Sequence, residues 1–346
     1  MKAIVYHGPH DVRTEEVADP TPRDSDGAVV KVVLCGICGS DLHIYDGHGF
    51  SADTGFCVGH ESVGTVIEVG SGVRNFAVGD RVLLPGSVGC MRCQPCLSGQ
   101  VFRCENGLAG CYGLSNNLHG SQAQAVAVPI ADRNLITIPD AISDEAALLL
   151  TDNAPTAWYG ARRARIQPGQ TVAVIGLGPV GMFSVMAAQI MGAAVVYAID
   201  LIESRRELAA SIGAVPINPA NAAEAIMEAG GALPDVVLEA VGLDQTVTDA
   251  LNLTRRGGVV SVVGVNQNMN FSFPMLLAQA KELEFHIGLC SVQYELPALL
   301  PLVASGRMDP EMVITHRMGL SEGVEAYALF ASRDDGVNKI VLDPTR

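Results

Sequence analysis

The segment VIGLGPVG at 174–181 sets Gly176, Gly178 and Gly181 in G-x-G-x-x-G spacing. In a chain with 37 glycines that spacing alone is weak, since it can arise by chance. Its context makes it stronger. The motif leaves an apolar strand, QTVAVIG at 170–176, and enters an apolar helical stretch, PVGMFSVMAAQIMG. This order turns backbone N–H groups and the positive end of a helix toward a pyrophosphate, on a parallel sheet with helices on its faces. Asp200 ends the next strand, AVVYAID at 194–200, 19 residues beyond Gly181. A carboxylate there accepts hydrogen bonds from a ribose diol and repels a 2′-phosphate, which favours NAD over NADP. Arg205 and Arg206 follow and can soften that repulsion. The alternative is that the glycines only let helix pack on strand and that Asp200 caps the helix SRRELAASIG, which Gly213 would stop.

Apolar strands keep alternating with helices through DVVLEAVG (235–242), GVVSVVG (258–264) and LEFHIGL (283–289), the pattern of a doubly wound parallel sheet. After residue 290 the pattern predicts two short helices and a final strand, NKIVL at 338–342. The first 150 residues differ. AVVKVVLCG (28–36), SVGTVIEVG (62–70), GDRVLLPG (79–86) and SQAQAVAVP (121–129) are β-branched runs of strand length separated by glycine turns. They predict an all-β barrel or sandwich. The rhythm changes near residue 140, where Ser143 is a plausible N-cap for SDEAALLLTDNAPTAWYGARRA. A length of 346 residues suits two domains.

Composition narrows the partners. With 49% hydrophobic and 17% charged residues the chain is too apolar for disorder. Lys and Arg number 22 against 37 Asp and Glu, a net charge of -15, which argues against nucleic acid and anionic membranes as partners. No apolar run approaches the roughly 18 residues of a membrane span. The start, MKAIVYHGPHDVRTEE, turns polar too soon for a secretory signal and reads as a β-strand, so a cytoplasmic location is expected. In that setting nine cysteines point to metal binding more than to disulfides.

Cys90, Cys93, Cys96 and Cys104 form C-x2-C-x2-C-x7-C in a polar loop. Four thiolates so spaced can close a tetrahedral shell around Zn²⁺, leaving no open position and a purely structural role. An iron–sulfur cluster is the rival, but its run ends with a spacing of three and then proline. Here the spacing is seven and Glu105 follows. Other ligand types are scattered: Cys38, Ser40 and His43 in CGICGSDLH, His60 and Glu61 in VGHESVG, and Asp152 in LLLTDNAPT. Cys38, His60 and Asp152 together would make a three-ligand site with an open fourth position. Singly, each has a plain structural role available, and spacing does not join positions so far apart.

GICGSDLH, GHESVGTVIEVG, GDRV, the four-cysteine loop and GLGPVG occur in the order found in zinc-dependent medium-chain alcohol dehydrogenases, and the chain resembles that family over essentially its whole length. The resemblance implies an α/β protein: a GroES-like β-rich catalytic domain (1–153 and 291–346) with two zincs, and a Rossmann NAD-binding domain (154–290). It assigns Cys38, His60 and Asp152 to the catalytic zinc, with Glu61 the acidic residue beside it, and the four clustered cysteines to the structural zinc. Thr156 and Val180 match nicotinamide contacts, and Lys339 a basic pyrophosphate contact. Asp152, where many members carry Cys or Glu, and VITHRMGLSEGVEAYALF resemble the bacterial secondary-alcohol and glutathione-independent formaldehyde dehydrogenase branch. The lack of a long insertion after the four-cysteine loop resembles the tetrameric forms.

The implied reaction interconverts a primary or secondary alcohol and its aldehyde or ketone. Metal coordination makes the hydroxyl acidic enough to lose its proton through Ser40 to His43, and the alkoxide then releases hydride to NAD. An N-cap is the alternative role for Ser40. Polyol, threonine-type or formaldehyde dehydrogenation on the same scaffold is the second expectation. A zinc-lobed NAD-binding module without catalysis is the contrasting class, and a zinc-free quinone or enoyl reductase is opposed by Cys38 and His60. Segments 48–57 and 114–119 with Cys290 are expected to line the substrate pocket, but they carry no readable code for one alcohol.

Overall fold

The β-branched run at residues 28–37 forms the strand Ala28–Ile37, around which the first unit of the protein is organised. In the computed structural model, which describes every residue except 50, 107–109 and 335, it pairs antiparallel with Ser62–Val69 along one edge. Ala28–Lys31 also pair with the strand Ala125–Val128, and Cys35–Ile37 with Lys339–Asp343. The sheet continues outward through Arg81–Leu84 to Ile136–Thr137, and through Lys339–Asp343 to Ile314–Gly319. Val30, Val32, Val66, Val82, Leu84, Ile340 and Leu342 fill its core. Each such side chain contributes about 1.5–3 kcal/mol by leaving water. A smaller sheet joins Asp11–Glu16, Lys2–Gly8 and Phe56–Cys57.

This register brings chemistry to one end of the sheet. Cys35 lies opposite Ser62, so the turn carrying His60 and Glu61 falls beside Gly36. Ile340 lies opposite Ile37, so Lys339 arrives at the same place from the far end of the chain. Cys38 follows as the N-cap of the short helix Gly39–Tyr45. Ser40 therefore lies inside this helix and is not its cap.

Two other expectations need correction. The stretch after Ser143 is two helices, Asp144–Leu149 and Asn153–Arg163, and Asp152 sits in the break. Ser143 does cap the first, its Oγ accepting from Ala146 N–H at 3.0 Å. Beyond residue 290, the helices Val292–Ala304 and Gly323–Ser332 flank an unexpected strand, Ile314–Gly319. Its sequence ITHRMG has no apolar alternation. Parallel pairing to Lys339–Asp343, a non-local contact, makes it a strand.

The second unit, Thr156–Cys290, is separate from the first, which comprises Met1–Pro155 and Ser291–Arg346. Its six strands are all parallel, in the order Val215–Ile217, Val195–Ile199, Thr171–Ile175, Val236–Glu239, Val259–Val262 and Glu284–Ile287. That is the doubly wound arrangement with its crevice where the order reverses, between Thr171–Ile175 and Val236–Glu239. The three-residue strand at 215–217 was not legible in the sequence. Gly213, at φ +87°, stops the preceding helix as expected.

Candidate metal centres and dinucleotide loop

Cys38, His60, Glu61 and Asp152 converge, their ligand atoms lying within 4.8 Å of one another. Cys38 Sγ is 3.4 Å from Asp152 Oδ2, and His60 Nε2 is 3.7 Å from that same oxygen. A tetrahedral Zn²⁺ with sulfur at about 2.3 Å and oxygen at about 2.1 Å would hold the two ligands about 3.6 Å apart, so the donors fit that ion. The other nitrogen of His60, Nδ1, is 3.1 Å from Asp41 Oδ1. The two atoms are in ion-pair contact without hydrogen-bond alignment, so a carboxylate stands behind the ring while Nε2 faces the cluster.

The charges also call for a cation. Among the described residues, three buried or partly buried carboxylates, Asp41, Glu61 and Asp152, and the Cys38 sulfur are met by one lysine, Lys339, and one histidine, His60. Burial pushes the Cys38 thiol above its ordinary pKa, and Asp152 and Glu61 push it further. A bound dication would reverse that balance and hold the thiolate.

Glu61, within the same 4.8 Å cluster, is the member paired with a lysine. Its Oε2 accepts from Lys339 Nζ and its Oε1 from Asn153 Nδ2 at 2.7 Å. Burial raises the Glu61 pKa against the pull of Lys339. Lys339 is also fully buried, yet the neighbouring carboxylate raises its pKa above the ordinary lysine value. It donates as well to Ile37 O at 3.0 Å. The expected pyrophosphate contact is thus corrected: the ammonium is enclosed in the first unit as the counter-ion of Glu61. A Cβ on Gly36 would come within 2.2 Å of Glu61 Oε2, so only glycine admits this pair.

Ser40 Oγ is 3.1 Å from His60 Nε2, at the edge of the cluster. His43, one helical turn further, is half-buried, and burial holds its imidazole below the ordinary pKa. Sequence reasoning missed Asp41 and Asn153. Asp41 lies inside the quoted GSDLH motif, and the need of a ligating histidine for an acceptor on its second nitrogen is the signal that points to it. Asn153 had no signal, because its role depends on the helix break. Of the expected pocket residues, Phe50 lies outside the described residues.

The sulfurs of Cys90, Cys93, Cys96 and Cys104 form a second cluster within 4.8 Å. Cys90 and Cys96 Sγ are 3.9 Å apart, against about 3.8 Å across a tetrahedral zinc–thiolate site. Cys90 Sγ accepts from the Arg92 and Cys93 backbone N–H groups, both at 3.4 Å, and from Asn106 Nδ2 at 3.2 Å. Those donors, Arg92 first, hold its pKa down at about 6, whereas burial pushes Cys96 up to about 12. One sulfur is therefore ready as a thiolate and another needs the metal. No disulfide joins any of the nine cysteines.

In the second unit the three glycines of the loop differ in what surrounds them. Gly176 turns at φ +86°, and a Cβ on Gly181 would lie 1.7 Å from Gly176 O. Gly178, the N-cap of the helix Pro179–Ile190, has open space where its Cβ would be, which suits the approach of a pyrophosphate. Val180 is half-buried in the first turn of this helix, and half-buried Thr156 opens the unit on Asn153–Arg163. Asp200 Oδ2 accepts from Leu177 N–H at 2.6 Å, which ties the loop to the end of the next strand. Arg205 lies 3.7 Å from Asp200 Oδ2, and Arg206 donates to the Asp200 and Leu201 carbonyls.

The profile of the alcohol dehydrogenase GroES-like domain matches residues 24–140, and that of the zinc-binding dehydrogenases residues 179–305. A protein of Mycobacterium tuberculosis described as a probable zinc-binding alcohol dehydrogenase is 41% identical over 99% of this chain and 89% of its own length. The solved alcohol dehydrogenase of Thermus sp. ATN1 superposes with a TM-score of 0.92 at 39% identity, over 99% of both chains. An Escherichia coli CFT073 alcohol dehydrogenase solved with NADH superposes at 0.87 and 27% identity, again over 99% of both. With a GroES-like β unit, a doubly wound unit and two convergent ligand clusters, the chain belongs to the zinc-binding medium-chain alcohol dehydrogenase family.

Proposed function

We propose that Cys38, His60 and Asp152 hold the catalytic zinc of an NAD-dependent alcohol dehydrogenase, and that Cys90, Cys93, Cys96 and Cys104 hold a second, structural zinc. The observation that carries the reading is the convergence of Cys38, His60 and Asp152, with the fourth member of the cluster, Glu61, already engaged by Lys339 and Asn153. It leaves three ligands and an open position, the arrangement of catalytic rather than structural zinc. Residues 1–153 with 291–346 then act as the catalytic domain and 154–290 as the NAD domain, with Thr156, Gly176, Gly178, Val180 and Gly181 toward the cofactor. Asp200 takes the adenosine ribose and Arg205 moderates its charge.

When bound, Zn²⁺ supplies Lewis acidity, which lowers the pKa of water from about 15.7 to about 7 and acts on an alcohol hydroxyl in the same sense. The chain's own part is to receive the proton and to hold the ligands still. The Ser40 hydroxyl, at the edge of the cluster, accepts the proton and passes it toward His43. Burial keeps His43 neutral at neutral pH, so it is free to take up that proton. Protonation is disfavoured there, so activity falls only as pH drops through this lowered value. Asp41 keeps His60 in the ligating tautomer.

NAD⁺ reduction across primary alcohols, secondary alcohols, polyols and formaldehyde, with and without a strong chelator, tests this. Chelator-sensitive turnover of simple alcohols is the expected result. Turnover of polyols or formaldehyde alone would select the second substrate reading, and preference for NADP⁺ would overturn the role of Asp200. NAD binding with no turnover of any member would favour the non-catalytic module.

A cytoplasmic homotetramer completes the reading. No helix among the described residues is long and apolar enough to cross a membrane. Glu284–Ile287 is an edge strand, and Ile287 and Leu289 are 60% and 55% exposed beside it. An apolar sheet edge of this kind is normally covered. Light scattering after size exclusion should give four times the 36.2 kDa chain mass, and a monomer would refute the assembly.

A further inference from the structure

A file of buried polar groups leads from His60 to the C-terminal part of the chain. Asp41 Oδ1 lies 3.1 Å from His60 Nδ1, in ion-pair contact without hydrogen-bond alignment, and Oδ2 accepts from Cys38 N–H at 3.0 Å and Gln122 Nε2 at 3.2 Å. Gln122 Nε2 also donates to Gly36 O at 2.8 Å, so both amide protons are used. Gln122 Oε1 accepts from the Tyr327 hydroxyl at 2.8 Å. None of Asp41, His60, Gln122 and Tyr327 is more than 5% exposed.

With no water to compete, the order of donors and acceptors is forced. The amide of Gln122 has two acceptors on one side, the Gly36 carbonyl and the Asp41 carboxylate. Its N–H₂ must face them, and its oxygen must face a donor. Tyr327 is that donor, and burial raises its pKa well above the ordinary value, so the hydroxyl keeps its proton. Asp41 is thereby fixed by two donors on Oδ2, which leaves Oδ1 for the imidazole. If Asp41 turned away, His60 could move its proton to Nε2 and would have no lone pair for a metal.

We propose that Gln122 and Tyr327 are positioning residues of the Cys38–His60–Asp152 centre. Through Asp41 they hold His60 in the tautomer whose Nε2 lone pair faces Cys38 and Asp152. The proposal rests on the reading that this cluster holds zinc. Tyr327 lies on the helix Gly323–Ser332, so the segment after residue 290 supports the centre twice, through this file and through Lys339.

The four-cysteine lobe serves as an internal control, because the file does not reach it. The zinc-loaded full chain, with Tyr327→Phe and Gln122→Met, would be challenged with a chromogenic chelator. The release phase missing from Cys38→Ala identifies the Cys38 centre. Histidine-labelled ¹⁵N spectra would report the His60 tautomer. The variants should lose zinc from the Cys38 centre about 10-fold faster, the lower end for partners behind a metal ligand, with release from the four cysteines unchanged. The His60 ring signals should shift toward mixed tautomers. Parent-like release and spectra in both variants would overturn the proposal. Equal acceleration at both centres would also overturn it, as general loosening. A parent that carries zinc only at the four cysteines would defeat the underlying zinc assignment itself.

Discussion

Cys38→Ala is expected to lower kcat/KM for alcohol oxidation by at least about 10³-fold, since the Lewis acid supplies several kcal/mol and each 1.36 kcal/mol is tenfold. Loss of one of three ligands both weakens zinc retention and removes an anionic donor from the cluster. NAD affinity should not change, because the glycine loop and Asp200 belong to the other unit. Isothermal titration with NAD beside steady-state kinetics separates the two effects. Metal analysis should show one zinc per chain in place of two. Near-parental kcat/KM in this variant would mean that the open site is elsewhere.

The second large effect concerns stability. Lys339→Met leaves Glu61 buried and unpaired, and breaking a buried pair by removing one partner costs about 3–5 kcal/mol. The double variant Lys339→Met with Glu61→Gln removes both charges and should recover most of that loss. The resulting coupling can be measured in a double-mutant cycle by denaturant unfolding. The raised Lys339 pKa means that the stability from this pair is present at neutral pH and disappears only as pH rises through that elevated value. A single variant as stable as the parent would show that Lys339 is not the counter-ion of Glu61. A pyrophosphate contact, by contrast, would predict weakened NAD binding with little change in stability.

Much of the site was legible because its chemistry is local in sequence. The four cysteines of the lobe lie within 15 residues, and their spacing alone points to a closed metal site. Gly176, Gly178 and Gly181 lie within one strand–turn–helix unit, where Gly176 turns at positive φ and Gly181 packs on the Gly176 carbonyl, so their spacing is visible without the rest of the fold. The strand pattern of the second unit was readable too, since buried parallel strands are continuous apolar runs. The failures share one cause. Ile314–Gly319 is a strand only because of its partner, and Asp152 stands at a helix break that local propensity does not mark. Lys339 matches a basic pyrophosphate contact by position in the sequence, and its burial follows from the register of the final strand against Ala28–Ile37.

The sequence by itself determined the kinds of chemistry available to this protein: thiolate and imidazole ligands, a glycine turn at a helix N-terminus, and a carboxylate at the end of the next strand. It did so because each signal depends on residue type and on spacings of a few positions. Tertiary structure decided which of the scattered residues meet. It brought Cys38, His60 and Asp152 together across more than a hundred residues, set Asp41 behind His60, and paired Glu61 with Lys339. The physical reason is that strand register and burial are collective properties. Pairing Ile37 with Ile340 places a lysine beside a carboxylate, and exclusion of water turns that proximity into an ion pair.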